Sequence, residues 1–280
     1  MEGKTCIITG ANSGIGRATA LELAARKARI VLVCRNREMG ALVMKEIISS
    51  TRNQQVSLEV CDLSSQSQIK ELAERIESKH ESIDVLINNA GAIFSEYELT
   101  NEGIERTWAV NHLAYFSFTN LLLPKLKAAD SARIVCVASG AHKSAKLNLD
   151  DPGLKKNFNG MMAYAHSKLA NVMFTYELAR QLEASSITAN VLHPGGVAKP
   201  IGLKAKSRFY RWFWNAYIKT LAITPEQGAA TSVHLASSEE VAGITGKYWE
   251  KCKQVNSSKV SYDQDLQNKL WQLSLQQCGL

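Results

Sequence analysis

The segment Lys4-Thr5-Cys6-Ile7-Ile8-Thr9-Gly10-Ala11-Asn12-Ser13-Gly14-Ile15-Gly16 decides the fold. It opens as an apolar run, Lys4–Thr9, of the kind a buried strand needs. It breaks at Gly10, Gly14 and Gly16, then passes into Gly16–Lys27, where Ala20, Leu23 and Ala24 recur at helical spacing. The first glycine permits a tight turn. Small residues at Ala11, Asn12 and Ser13, with Gly14, Ile15 and Gly16 behind them, let backbone N–H groups approach a pyrophosphate at the partly positive helix N-terminus. The spacing is Gly-x-x-x-Gly-x-Gly rather than Gly-x-Gly-x-x-Gly, and a plain strand-to-helix turn competes with the nucleotide reading. The position after a first strand and before a helix favours the nucleotide.

Outward from this turn the same alternation repeats. Strand-like runs occur at Arg29–Cys34, Val56–Cys61, Ile83–Asn88, Arg133–Ala138, Ile187–His193 and, more briefly, Gly246–Glu250. Helical patterns lie between them: Ser65–His80, with Ile69, Leu72, Ala73 and Ile76 on one face, and a long amphipathic run, Met161–Glu183. Repeated βα units predict one doubly wound Rossmann-type α/β domain, a parallel sheet of about seven strands with helices on both faces. Residues 1–251 are expected to form this dinucleotide-binding domain. Residues 252–280 read as a C-terminal extension packing on it and ending in an amphipathic helix with Leu266, Leu270 and Leu273.

Composition narrows the function classes. The chain has 280 residues, 45% hydrophobic and 21% charged, with 5 prolines, which excludes collagen-like and disordered chains. No run is apolar enough to cross a bilayer, and Met1-Glu2-Gly3-Lys4 enters the first strand directly, so no signal peptide is expected. The cysteines at 6, 34, 61, 136, 252 and 278 suggest neither a disulfide framework nor a metal site, which points to a reducing, cytoplasmic setting. The net charge of +7 is uneven: from Ala184 to Pro225 there is no Asp or Glu, while Lys199, Lys204, Lys206, Arg208, Arg211 and Lys219 are all basic. Within residues 204–219 the cations interleave with Phe209, Tyr210, Trp212, Phe213, Trp214 and Tyr217. That pattern has three readings: the lid of a lipophilic pocket, a peripheral contact with an anionic membrane, or a charged surface helix. No nucleic-acid reader motif accompanies it, so no nucleic-acid partner is expected.

The ends of the strands carry the chemistry. The second closes with Cys34-Arg35-Asn36-Arg37 and has no carboxylate until Glu38. A basic residue there accommodates a 2′-phosphate, and Arg17 is a second candidate for the same group, so the reading is NADP(H). Two solvated surface arginines are the competing view. Asp62-Leu63 follows the third strand; its carboxylate suits either an adenine amino group or a helix N-cap. In Asn88-Asn89-Ala90-Gly91 the asparagines suit bracing of the loop, while Ala-Gly leaves room for a ribose. Tyr164 and Lys168 are four apart and share a helical face. A free phenol has a pKa of about 10, and an ammonium nearby favours the phenolate, so the pair makes a proton donor and acceptor. Ordinary helix packing with a snorkelling lysine is the alternative.

Thr9–Gly16, Asn88–Gly91, Asn111, Ser139, Tyr164 with Lys168, and Pro194-Gly195, in that order, resemble the short-chain dehydrogenase/reductase family over nearly the whole chain. The resemblance implies that Ser139 bonds the substrate oxygen and Tyr164 exchanges its proton. It implies that Lys168 binds the nicotinamide ribose and lowers the tyrosine pKa, and that Asn111 holds a water linking Lys168 to solvent. Pro194, Gly195 and Val197 would line the nicotinamide end. The spacing from Ser139 to Tyr164, the run His193-Pro194-Gly195-Gly196 and the run Thr224–Ala230 are similar to the retinol dehydrogenase-like branch. That branch implies a retinoid or other lipophilic alcohol, aldehyde or ketone, a substrate loop over 198–222, and a homodimer among the partners. Two departures stand out: Lys199 occupies a place where the family usually carries threonine, and the hydrophobic N-terminal anchor of many members is not seen. His112, His142 and His166 flank the site without ligand spacing. A cofactor-binding regulatory protein with little turnover is the reading of a different class.

Overall fold

The computed structural model describes residues 1–196 and 223–280. Strand β1 (Thr5–Thr9) is buried at every position, because helices cover both faces of the sheet and a strand in the middle has no solvated side. Helix α1 (Gly14–Ala25) follows, then β2 (Arg29–Cys34), α2 (Arg37–Thr51), β3 (Val56–Val60), α3 (Gln66–Lys79) and β4 (Val85–Asn88). Arg106–Trp108 (α4) runs through a π-turn, Ala109–Leu113, into α5 (Ala114–Lys127). After β5 (Ala132–Val137) come a 3₁₀ turn (Gly140–Ser144), α6 (Gly160–Gln181) and β6 (Ile187–His193). The described chain resumes before α7 (Pro225–Ser237) and ends with β7 (Tyr248–Glu250), β8 (Lys253–Val255) and α8 (Gln264–Cys278).

The sheet order is β3-β2-β1-β4-β5-β6-β7-β8. Pairing is parallel as far as β7, with Ile7 opposite Val31 and Ile8 opposite Ile87. The seven parallel strands match the expected architecture. An eighth, β8, turns back antiparallel to β7 and comes from the extension. Alternation along the strands sorts the core. Ile7, Val31, Leu86 and Ile134 face α3, α5 and α6 through Leu72, Phe116 and Phe174. Cys6, Ile8, Leu32 and Ile87 face α1, α2 and α7 through Leu23, Ile47 and Val233.

Several local readings change. Helix α6 is not amphipathic: β6 and β5 lie on one side, and α4, the π-turn and α8 lie on others, so its buried positions surround it. The extension helix buries Gln267, Leu270, Trp271 and Ser274, while Leu266 and Leu273 are half-buried. The stripe that docks is therefore led by Trp271, whose ring centroid lies 4.8 Å from Phe116 and 5.8 Å from Phe174. The N-cap of α3 is Ser65 and not Asp62. Thr224-Pro225-Glu226-Gln227 is a capping box for α7: Gln227 N donates to Thr224 Oγ1 at 3.2 Å and Thr224 N donates to Gln227 Oε1 at 3.0 Å. All six cysteines are free. Among the described residues no helix is long and apolar enough to cross a membrane, and no His, Cys, Asp and Glu group is placed to hold a metal.

Candidate active site

Neighbouring β1 and β4 lead away in opposite directions, β2 on one flank and β5 on the other, so a crevice is expected at their carboxyl ends. The glycine turn lies there. Gly10 has φ +67°, and a Cβ on it would sit 2.8 Å from Ala90 Cα. A Cβ on Gly16 would meet Gly10 O at 2.4 Å and Asn89 Nδ2 at 2.5 Å, so glycine is what lets α1 start against the end of β1. Gly14 differs: φ is +55° but nothing lies within 4 Å of where its Cβ would be. Ser13 gives α1 no side-chain cap, and its first turn holds no acid. The start of α1 is thus left without a side-chain cap or an acid, and open space lies beside Gly14, a cradle that fits the pyrophosphate of a dinucleotide.

The asparagines brace this turn. Thr9 Oγ1 accepts from Asn89 N at 2.9 Å and Ala90 N at 3.0 Å, and Asn89 Nδ2 donates to Thr9 O at 2.8 Å. Asn88 Nδ2 donates to Thr119 Oγ1 at 2.8 Å. Beyond β2, the Arg35 side chain is 64% exposed, its Nη1 4.0 Å from Asp62 Oδ2. Asp62 Oδ1 accepts from Ser64 N at 3.0 Å and Ser64 Oγ at 2.8 Å, which ties the turn before α3. Leu63 turns its side chain into the core. Arg17 has a partner that the sequence reading did not assign: it forks onto Glu46 of α2, with Nε donating to Oε2 at 2.8 Å. The hydrogen-bonded guanidinium holds the Glu46 carboxyl below its ordinary range.

The second group gathers at the end of β5. Ser139 caps the 3₁₀ turn, its Oγ accepting from Ala141 N at 3.2 Å. Asn159 caps α6 from Met161 N and Met162 N, which sets Tyr164 in the early helix beside Ser139. Tyr164 is buried, and burial raises its phenol; the hydrogen bond with the Ser139 side chain opposes that in part. Lys168, one turn on, is buried too. Its Nζ donates to Val137 O at 2.8 Å and lies 5.1 Å from the centre of the Tyr115 ring and 5.8 Å from that of Tyr164. Burial pushes the ammonium down to about 7. Desolvation acts first on both groups, and the ammonium is directed at Val137 O of β5.

Asn111 stands in the π-turn, where Ala114 N donates to Ala109 O, one residue further back than in an α-helix. Its Oδ1 accepts from Ala92 N at 2.8 Å; its Nδ2 donates to Ala92 O at 2.9 Å and Ser167 Oγ at 3.1 Å. A Cβ on Gly91 would lie 3.2 Å from Lys168 Nζ and 3.4 Å from Asn111 Oδ1, so the Asn88–Gly91 loop passes directly over both. Gly195, with φ +93°, follows Pro194 after β6, and Ile223 N donates to Gly196 O at 2.9 Å. Val197, Lys199 and the segments 198–222 and 204–219 lie outside the described residues.

The structure thus brings the glycine turn, Asn89–Gly91 and Asp62 with Arg35 to one edge of the sheet, and Asn111, Ser139, Tyr164 and Lys168 to the same edge. Sequence reasoning placed His112 and His142 beside the site but gave them no role in it. His142 hydrogen-bonds the Ser139 carbonyl and His112 hydrogen-bonds Asn171, which in turn grips Asn111. Their adjacency to Ser139 and Asn111 in the chain was the available signal.

Comparison with known proteins agrees with this geometry. The family described as short chain dehydrogenase matches residues 4–208. Retinol dehydrogenase 11 of Homo sapiens is 41% identical over 283 residues, covering 100% of this chain and 87% of its own. Retinol dehydrogenase 13 of Homo sapiens is 40% identical over 282 residues, covering 99% and 85%. Among solved structures, an uncharacterised protein of Mycobacterium paratuberculosis superposes with a TM-score of 0.79 at 30% identity, covering 99% of this chain and 94% of that one. A short chain dehydrogenase of Escherichia coli CFT073 complexed with NADPH shares the fold, with a TM-score of 0.70 at 23% identity over 90% of this chain and 98% of that one.

Proposed function

The chain belongs to the short chain dehydrogenase family, oxidoreductases that interconvert an alcohol and a carbonyl with a nicotinamide dinucleotide, and from that premise we propose an NADP(H)-dependent enzyme for a retinoid or similar lipophilic substrate. The observation that carries the chemistry is the convergence of Ser139, buried Tyr164 and buried Lys168 at the end of β5, with the lysine Nζ on Val137 O and 5.8 Å from the centre of the Tyr164 ring. The bound dinucleotide supplies or accepts the hydride.

Ser139 orients the substrate oxygen. Tyr164 donates its proton to that oxygen during reduction and takes it back during oxidation. The raised phenol keeps its hydrogen at neutral pH, the form needed for reduction. Lys168 is fixed by Val137 O and passes beneath Gly91, where a ribose would rest. Asn111 holds the Ala92 main chain beside it. The preference for NADP(H) rests on exposed Arg35, since Arg17 is held by Glu46 and Asp62 is engaged by its own turn. The lipophilic substrate class is carried by the names of the relatives.

A matrix of NADPH and NADH against retinal and nonanal tests the reading, with Tyr164→Phe as reference. NADPH should be the better coenzyme, retinal should be reduced, and Tyr164→Phe should fall by about 10²–10⁴-fold while still binding NADPH. Coenzyme binding without turnover on any aldehyde would favour a regulatory protein instead.

A further inference from the structure

His142 is fully buried in the 3₁₀ turn, three residues after Ser139. Its Nδ1 lies 2.7 Å from Ser139 O, and its Nε2 is 3.0 Å from the main-chain N of Ser258. A main-chain amide only donates, so Nε2 keeps its lone pair and the hydrogen sits on Nδ1, where it donates to Ser139 O. One end of the ring holds the main chain of Ser139. The other end is fixed by a residue more than a hundred positions away.

His112 repeats the pattern on Asn111. It is fully buried, with Nδ1 3.3 Å from Asn171 Oδ1 and Nε2 2.9 Å from Ser274 Oγ. Asn171 Nδ2 donates to Asn111 O at 2.8 Å, which leaves Asn171 Oδ1 as the atom facing the ring. That oxygen only accepts, so the hydrogen again sits on Nδ1, and Nε2 accepts from the Ser274 hydroxyl. Ser274 has one hydrogen and a second acceptor in reach, Leu270 O at 2.8 Å; the Asn171 contact chooses between them. Burial pushes the His112 ring down to about 3 and lowers that of His142, so both stay neutral.

We propose that residues 252–280 are a positioning part of the site: the Ser258 amide acts through His142 on Ser139, and the Ser274 hydroxyl acts through His112 and Asn171 on Asn111. This rests on the reading of Ser139 and Tyr164 as the reacting pair. The segment is anchored firmly enough to serve. Trp271 packs on Phe116 and Phe174, Trp108 Nε1 donates to Gln277 Oε1 at 2.9 Å, and Arg180 Nη1 donates to Gln267 Oε1 at 2.6 Å. The arrangement gives Ser139 and Asn111 the fixed orientation that proton transfer requires, with neutral rings that add no charge to the core.

The full chain is used throughout, with NADPH and retinal. Ser274→Ala removes one relay hydroxyl, and Gln272→Ala changes an exposed position of the same helix outside both the relay and the anchoring contacts. Ser274→Ala should lower kcat by about tenfold with the KM for NADPH nearly unchanged, while Gln272→Ala keeps its kcat. At the other arm, His142→Asn retains a donor near the Nδ1 position, whereas His142→Phe fills the space without one. The asparagine variant should recover much of the kcat that the phenylalanine variant loses. Ring nitrogen NMR of the wild type, read without substrate, should find His112 and His142 as Nδ1–H tautomers. Equal kcat in Ser274→Ala and Gln272→Ala together with equal kcat in the two His142 variants, or an Nε2–H tautomer at both rings, overturns the proposal. Full activity in Tyr164→Phe would instead overturn the reading on which it rests.

Discussion

The glycine turn and the Ser139–Tyr164–Lys168 corner lie along the same edge of one sheet and are built by opposite means. The turn is short and local. It consists of main chain and small side chains, and its dimensions are set by contacts such as Gly16 against Gly10 O. The corner draws on β5, the π-turn, α6 and residues 252–280, and it depends on buried polar groups that each need a partner. A binding site made of closely packed main chain fails when an atom is added. A proton-transfer site made of desolvated side chains fails when one is removed.

The sharpest way to break that contrast is within the turn itself. Gly16→Val would drive a side chain into the Gly10 carbonyl and Asn89, neither of which can withdraw. We expect NADPH affinity to fall more than tenfold and stability to fall by roughly 1–3 kcal/mol or more. Gly14→Ala meets no protein atom, so its stability cost should be only the left-handed conformation, about 1–2 kcal/mol, while its methyl in the cradle should weaken NADPH less than Gly16→Val does. Equal losses in fluorescence titration and thermal unfolding would erase the distinction.

A smaller effect reports on the corner. Lys168 falls to about 7 in the folded chain against an ordinary 10.5, so its charge costs stability in full below pH 7. The unfolded chain binds the extra proton above that pH, and the cost fades as pH rises from 7 toward 10.5. Cys6, Cys61 and Cys136, held up by burial, act in the opposite sense, so the comparison must be with a variant. Lys168→Met should be the more stable protein at pH 7, and its advantage should shrink by up to ~1.4 kcal/mol per pH unit toward pH 9. An advantage independent of pH, in urea unfolding, would mean that the amine is not desolvated. The smallest effect belongs to the exposed rim: Arg35→Ala should raise the KM for NADPH severalfold and leave that for NADH unchanged. Equal rises would remove the phosphate contact.

Legibility followed the same division. The turn, the strands and the Tyr164–Lys168 spacing are local patterns, and they could be read directly. Asp62 could not be resolved between two roles because the cap of α3 depends on where the helix starts, and Ser65 took it. Arg17 looked free because Glu46 is remote in sequence. The extension helix was read by its leucines, yet Gln267 and Ser274 are among the residues it buries. Polar side chains inside a core give no periodic signal, and their partners, Arg180 and His112, come from other elements. The same reason hid both histidine contacts.

Trp271 closes over Phe116 and Phe174 only when residues 264–278 dock. A ribosome releases those aromatic rings roughly a hundred or more residues before it releases their cover, which at about 5–20 residues per second leaves them bare for several seconds or longer. During that interval the nascent chain carries a complete glycine turn together with a sticky, uncovered flank. A product cut short before α8 would carry that flank for its whole lifetime, an invitation to chaperones and proteases.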